Sequence, residues 1–234
     1  MGPSVSTSTL TTLSLGHRLT RVFTLVRYRF FLFAGLLPYL LGAAWASGMA
    51  GTFNVAMFWS GLGGAAAIFY EAPPIRWSYR GLGEAVIALA YGPWMVLGSL
   101  YLHSRDISWS ALLASLVPGL LIMALAVVNA IPDFHQDRLV GKRNLVVRLG
   151  RERAVWLYLT LAASGLSVVA AGVMLGALPA ACLAALLALP LLIASGRCAV
   201  RTFETPRQFV PAMRHMVGCY VVAVTLLTGG ILLR

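Results

Sequence analysis

The chain has 234 residues, 59% of them hydrophobic and 11% charged, with a mean hydropathy of +0.84 and a formal net charge of +11. These values exclude a soluble globular domain, in which about 25% of residues are charged, and a disordered chain, which lacks this apolar content. A basic excess can signal nucleic-acid binding, but such cations gather on a polar domain; here they punctuate long apolar runs, so membrane lipid is the expected partner and nucleic acid is not.

Residues 1–16 are Ser/Thr-rich and uncharged, without the charged, apolar and small-residue regions of a signal peptide. Residues 1–26 are expected to form a flexible cytoplasmic segment, and 27–234 a single membrane domain. A crossing takes about 20 apolar residues, and a charge at mid-membrane is costly. The charge-free run 30–70 accommodates two crossings with a turn near Gly48, Gly51 and Asn54. Runs 85–104 and 107–132 each supply one, 154–196 supplies a hairpin broken at Gly176-Ala177-Leu178-Pro179, and 215–233 supplies the last. The expected fold is an all-α, polytopic membrane bundle of seven transmembrane helices.

Cytoplasmic segments retain Lys and Arg. Of the 18 cations, all but Arg105 and Arg234 fall on alternate segments, which puts the N-terminus and the loops 71–84, 133–153 and 197–214 in the cytoplasm. Cys182, Cys198 and Cys219 sit in or beside spans without CxxC spacing and read as small apolar packing residues.

Only seven acids occur, and four of them lie at membrane mouths: Glu71 and Glu84 in one cytoplasmic loop, Asp133 and Asp137 in the next. Asn129, Asp133 and Asp137 are spaced four apart. On a continuous helix each step of four drifts by only about 40°, so the three oxygen ligands share one face. Two carboxylates and an amide suit Mg²⁺, which takes one or two protein carboxylates and completes its octahedron with water and substrate phosphate. Arg138, Lys142, Arg143, Arg148, Arg151 and Arg153 follow at once, so a metal-bound polyphosphate is one reading. A solvated, ion-paired turn whose cations serve topology is the other. Pro132 removes a helical hydrogen bond at this mouth and favours a kink.

The segment from Tyr70 through Arg76, Tyr79, Arg80 and Glu84 is rich in Pro and Gly. Its two arginines and two tyrosines suit a phosphate and an aromatic or allylic group, or equally an interfacial belt.

Three stretches resemble the UbiA superfamily of membrane prenyltransferases, and most closely its 1,4-dihydroxy-2-naphthoate polyprenyltransferase branch in menaquinone synthesis. They are Tyr79-Arg80-Gly81-Leu82-Gly83-Glu84 with the run Tyr91 to Gly98, the NxxxDxxxD pattern of Asn129 to Asp137, and the run from Asp137 through Gly141-Lys142-Arg143-Asn144 to Gly150. The resemblance extends from about Arg27 to the C-terminus. It implies a helical bundle around a lipid-open cavity capped on the cytoplasmic face of the inner (plasma) membrane, with Mg²⁺ as cofactor. Polyprenyl diphosphate is the implied donor, and an aromatic acceptor such as 1,4-dihydroxy-2-naphthoate receives the prenyl group with loss of its carboxylate.

By the same resemblance Asn129, Asp133 and Asp137 are metal ligands, with Asp133 and Asp137 catalytic, and Tyr70, Arg80 and Lys142 meet diphosphate or the allylic cation. Arg76, Tyr79 and Arg143 stand beside them as further substrate-binding candidates. The family usually has nine helices and an earlier NDxxD-type motif. This chain has no Asp before Asp106, as if an internal segment with two crossings and that motif were deleted. An inactive, isoprenoid-binding relative or a truncated gene product is therefore the alternative. A retinal protein is disfavoured because the only lysine, Lys142, lies in a loop, and an ion-coupled carrier because no span carries a central charge.

Overall fold

The computed structural model describes residues 79–104 and 106–233, together with the helical positions Pro38, Leu41, Gly42, Trp45 and Gly48. The expected flexible segment 1–26 and most of the two crossings expected within 30–70 lie outside the described residues. Every regular element among the described residues is helical. Helix α1 (Gly83–Leu89) runs through a π-helical turn (Ala90–Trp94) into α2 (Met95–Ser104), and α3 (Trp109–Ala130) follows. Two short helices, α4 (Phe134–Leu139) and α5 (Leu145–Leu149), precede α6 (Arg151–Met174); a 3₁₀ segment (Ala180–Ala188) leads into α7 (Leu189–Thr202), and α8 (Pro206–Leu232) ends the chain.

Five of these units are long and apolar enough to cross a membrane: Gly83–Ser104, Trp109–Ala130, Arg151–Met174, Ala180–Thr202 and Pro206–Leu232. They coincide with the five crossings expected after residue 84. The last begins well before the charge-free run 215–233, because the helix continues through Arg207 and Arg214 where no apolar pattern is required. The loop expected over 197–214 thus shrinks to the turn between α7 and α8.

Helix α3 is the centre of the bundle, packed on α1, the π turn, α6 and α8. Ser108 caps it, its hydroxyl accepting from the Ala111 N–H at 3.1 Å. Ala114, Val117, Leu121, Leu125 and Val128 are among its fully buried side chains. With lipid outside and protein inside, such packing rests on close contact of small residues more than on hydrophobicity. A Cβ on Gly119 would lie 2.8 Å from the Ala88 carbonyl, and one on Gly92 would lie 2.7 Å from the Gly119 Cα, so the α1 unit and α3 touch backbone to backbone. Pro93 lies within the π turn at this crossing; with no N–H to donate, it cannot complete an ordinary helical ladder. From the first part of the chain, Leu41 and Trp45 are buried in the same core.

The expected hairpin break is a helix-ending turn. Gly176 adopts φ +68°, the Gly176 N–H reaches the Val173 carbonyl at 3.0 Å, and the Ala177 N–H reaches the Gly172 carbonyl at 2.9 Å. This is the Schellman pattern that satisfies terminal carbonyls. Within the membrane region one buried polar link joins three helices: the Ser195 hydroxyl donates to the Ala212 carbonyl at 2.8 Å and meets the Tyr158 hydroxyl at 3.2 Å. Cys182 and Cys219 are buried and Cys198 is half-buried, all three as free thiols, in keeping with a packing role.

Candidate functional site

Between α3 and α6 the chain folds into a polar cap at one end of the bundle. The single stripe expected for Asn129, Asp133 and Asp137 is interrupted. Helix α3 ends at Ala130 and α4 starts at Phe134, with Asp133 as its N-cap residue. Pro132 accounts for the break, since it supplies no N–H. The Asp137 N–H still bonds the Asp133 carbonyl at 2.8 Å, so these two carboxylates remain one turn apart on α4. Asn129 belongs to the last turn of α3 instead.

Asp137 is the hub of the cap. Helix α4 ends in a second Schellman turn: Gly141 adopts φ +74°, its N–H reaches the Arg138 carbonyl at 3.2 Å, and the Lys142 N–H reaches the Asp137 carbonyl at 2.9 Å. That turn brings Lys142 back over Asp137, with Nζ 3.5 Å from Oδ1. The other carboxylate oxygen, Oδ2, accepts from Asn144 Nδ2 at 2.6 Å. Asn144 is itself the cap of α5, its Oδ1 accepting from the Val147 N–H at 2.8 Å.

The two segments singled out in the sequence are stitched together here. The Arg143 N–H donates to the Tyr79 carbonyl at 3.3 Å. Arg148 donates through Nη2 to the Arg80 carbonyl at 2.7 Å and through Nε to the Arg143 carbonyl at 2.9 Å. Gly81 makes this possible: it adopts φ +72°, and a Cβ there would lie 2.5 Å from Arg148 Nε and 2.8 Å from the Arg143 carbonyl. Glu84, only 4% exposed, completes the seam, its Oε1 accepting from the Leu145 N–H at 3.0 Å. Its second oxygen is buried without a hydrogen-bond partner.

Tyr79, Arg80, Lys142 and Arg143 are therefore neighbours of Asp137's cap, whereas Tyr70 and Arg76 lie outside the described residues. The cation cluster divides by role. Arg148 is a strut, and Arg151 donates to the Glu204 carbonyl at 3.1 Å while its guanidinium lies 5.7 Å from the Phe134 ring centroid. Arg138, Arg143 and Arg153 are exposed. His135 packs edge-on against Phe134 with centroids 5.2 Å apart. Among the described residues no three His, Cys, Asp or Glu side chains converge. Sequence reasoning placed Glu84 at the mouth but did not foresee its clasp on α5, and missed Asn144, whose position before Leu145-Val-Val-Arg-Leu is a cap signal.

The chain has relatives among known proteins. The chain is 31% identical over 215 residues to a 1,4-dihydroxy-2-naphthoate octaprenyltransferase of Mycobacterium tuberculosis, covering 90% of this chain and 62% of that protein. It is 36% identical over 94 residues to the protein of the same name from Escherichia coli, covering 40% of this chain and 30% of that one. A 2-carboxy-1,4-naphthoquinone phytyltransferase of Synechocystis is 34% identical over 84 residues, covering 35% and 26% respectively. The chain thus spans less than two thirds of the length of these relatives. No solved structure matches it. The UbiA prenyltransferase family profile matches residues 21–218, and the chain belongs to that family of multi-pass membrane proteins.

Proposed function

We propose that this chain transfers a polyprenyl group from polyprenyl diphosphate to an aromatic acceptor, 1,4-dihydroxy-2-naphthoate, in menaquinone biosynthesis. The observation that carries the reading is the seam joining Tyr79 and Arg80 to Lys142 and Arg143 beside Asp137, since it unites cations and carboxylates at one end of an apolar bundle. A seven-span topology with a cytoplasmic N-terminus, and an inner-membrane location with the cap facing the cytoplasm, accord with the alternation of the 18 cations.

The donor set suits Mg²⁺. Asp133 and Asp137 stand one helical turn apart, Asn129 lies just across the break, and a cation, Lys142, already sits 3.5 Å from Asp137 Oδ1. Asn129, Asp133 and Asp137 would hold the ion, leaving its other positions to water and phosphate oxygens. When bound, Mg²⁺ withdraws charge from the departing diphosphate. Lys142, Arg143 and Arg80 bind the same diphosphate, and their fixed positive charge stabilises the negative charge that develops on it. The allylic C–O bond breaks, and the electron-rich ring carbon of the acceptor forms the new C–C bond as its carboxylate leaves as CO₂. Tyr70, Tyr79 and Arg76 complete the proposed substrate contacts.

The absence of any Asp before Asp106 favours a second reading, an inactive relative that binds isoprenoid lipid. The test is transfer from a labelled polyprenyl diphosphate to 1,4-dihydroxy-2-naphthoate in membranes holding the inserted chain, with and without Mg²⁺. Product that needs Mg²⁺ and vanishes in Asp133→Ala and Asp137→Ala supports the enzyme. No product from the folded wild-type chain, or product unchanged in both variants, refutes it.

A further inference from the structure

We propose that Asn144 is a positioning residue that aims Asp137 at the metal; the inference rests on the functional reading above. Its side-chain amide is fixed at both ends. The carbonyl oxygen accepts from the Val147 N–H at 2.8 Å, and the amino group donates to Asp137 Oδ2 at 2.6 Å. Only this orientation of the amide serves both partners, because a carboxylate accepts and an N–H donates. Asn144 is 3% exposed, and its neighbour Leu145 donates its N–H to Glu84. The amide is therefore tied to the seam between α1 and α5, and through it the Asp137 carboxylate is tied as well.

The consequence for Asp137 is asymmetric. Oδ2 is committed to Asn144, while Oδ1 faces Lys142 across 3.5 Å, longer than a strong charged hydrogen bond. Oδ1 is thus the oxygen presented to an incoming cation, and Asn144 determines its direction. Ligating carboxylates held by such outer partners lose about 10- to 100-fold in metal affinity or activity when the partner is removed.

A plain helix cap would also explain Asn144, and Asn144→Ser separates the two roles. Serine caps as well as asparagine, but its hydroxyl is too short to serve both Val147 and Asp137. The experiment is calorimetric binding of inorganic pyrophosphate to the full chain in lipid nanodiscs at increasing Mg²⁺, for wild type, Asn144→Ser, Asn144→Ala and Asp137→Ala. Hydrogen exchange of segment 144–150 in each protein reports whether α5 remains capped. The expected result is wild-type protection of α5 in Asn144→Ser together with a Mg²⁺ requirement raised by about 10- to 100-fold, and in Asn144→Ala the same raised requirement together with loss of α5 protection. A Mg²⁺ requirement unchanged in Asn144→Ser, while Asp137→Ala abolishes binding, overturns this inference alone. Wild type without Mg²⁺-dependent pyrophosphate binding, or binding untouched by Asp137→Ala, overturns the functional reading and this inference with it.

Discussion

Replacing Glu84 by alanine should release the first turn of α5 without unfolding the bundle. Glu84 is 4% exposed, and its Oε1 accepts from the Leu145 N–H at 3.0 Å across 61 positions of sequence. A hydrogen bond to a charged group contributes about 1.5–3 kcal/mol. The partnerless Oε2 already imposes a desolvation cost that alanine would remove, so the net loss belongs near the lower end, about 2 kcal/mol. At 1.4 kcal/mol per decade this is an increase of about 30-fold in local opening. Hydrogen exchange in nanodiscs, followed by mass spectrometry over 144–150, reads that quantity directly, because short helices open locally at less than the global free energy. Glu84→Gln retains the carbonyl acceptor and should change exchange by less than about tenfold. Unchanged protection in Glu84→Ala would refute the clasp. Equal deprotection in both variants would show that the negative charge, not the acceptor, holds α5.

Three further perturbations probe the frame. Gly119→Ala places a Cβ 2.8 Å from the Ala88 carbonyl, while Gly98→Ala meets nothing within 4 Å; the first should cost about 1–3 kcal/mol and lower the melting temperature in detergent, and the second should be close to neutral. Gly81→Ala combines φ +72° with contact against Arg148 and Arg143, so it should cost at least about 1–2 kcal/mol and deprotect the 142–148 segment, where exchange at wild-type rates would refute the seam. Ser195→Ala leaves both the Tyr158 hydroxyl and the Ala212 carbonyl without the Ser195 partner; a loss of about 1–3 kcal/mol, measured as earlier unfolding on heating, should be largely recovered in the Tyr158→Phe, Ser195→Ala double variant.

Hydropathy made the spans legible because partition into a bilayer depends on composition over about 20 residues and hardly on the order within them. Each crossing expected after residue 84 has its helix, and the break at Gly176 was visible because a positive φ selects glycine. The same chemistry makes Gly141 readable in hindsight: it ends α4 and returns Lys142 to Asp137. Helix ends were less legible. Nothing in a charge count shows that α8 continues past Arg207, or that α3 stops at Ala130 and leaves Asn129 on a different helix from Asp137.

The sequence by itself determined the solvent, the helical class, the later crossings and the two polar segments that meet in the cap, since each follows from local composition and spacing. The tertiary structure alone decided which partners those residues take. Arg148 became a strut between Arg80 and Arg143, Glu84 a buried clasp, and Asn144 a hydrogen-bond partner of Asp137. The physical reason is the range of the interactions. Burial in lipid sums over a window of chain, whereas a hydrogen bond vanishes beyond about 3.5 Å, and only the packing of α1 against α3 brings residues 61 and 68 positions apart within that distance.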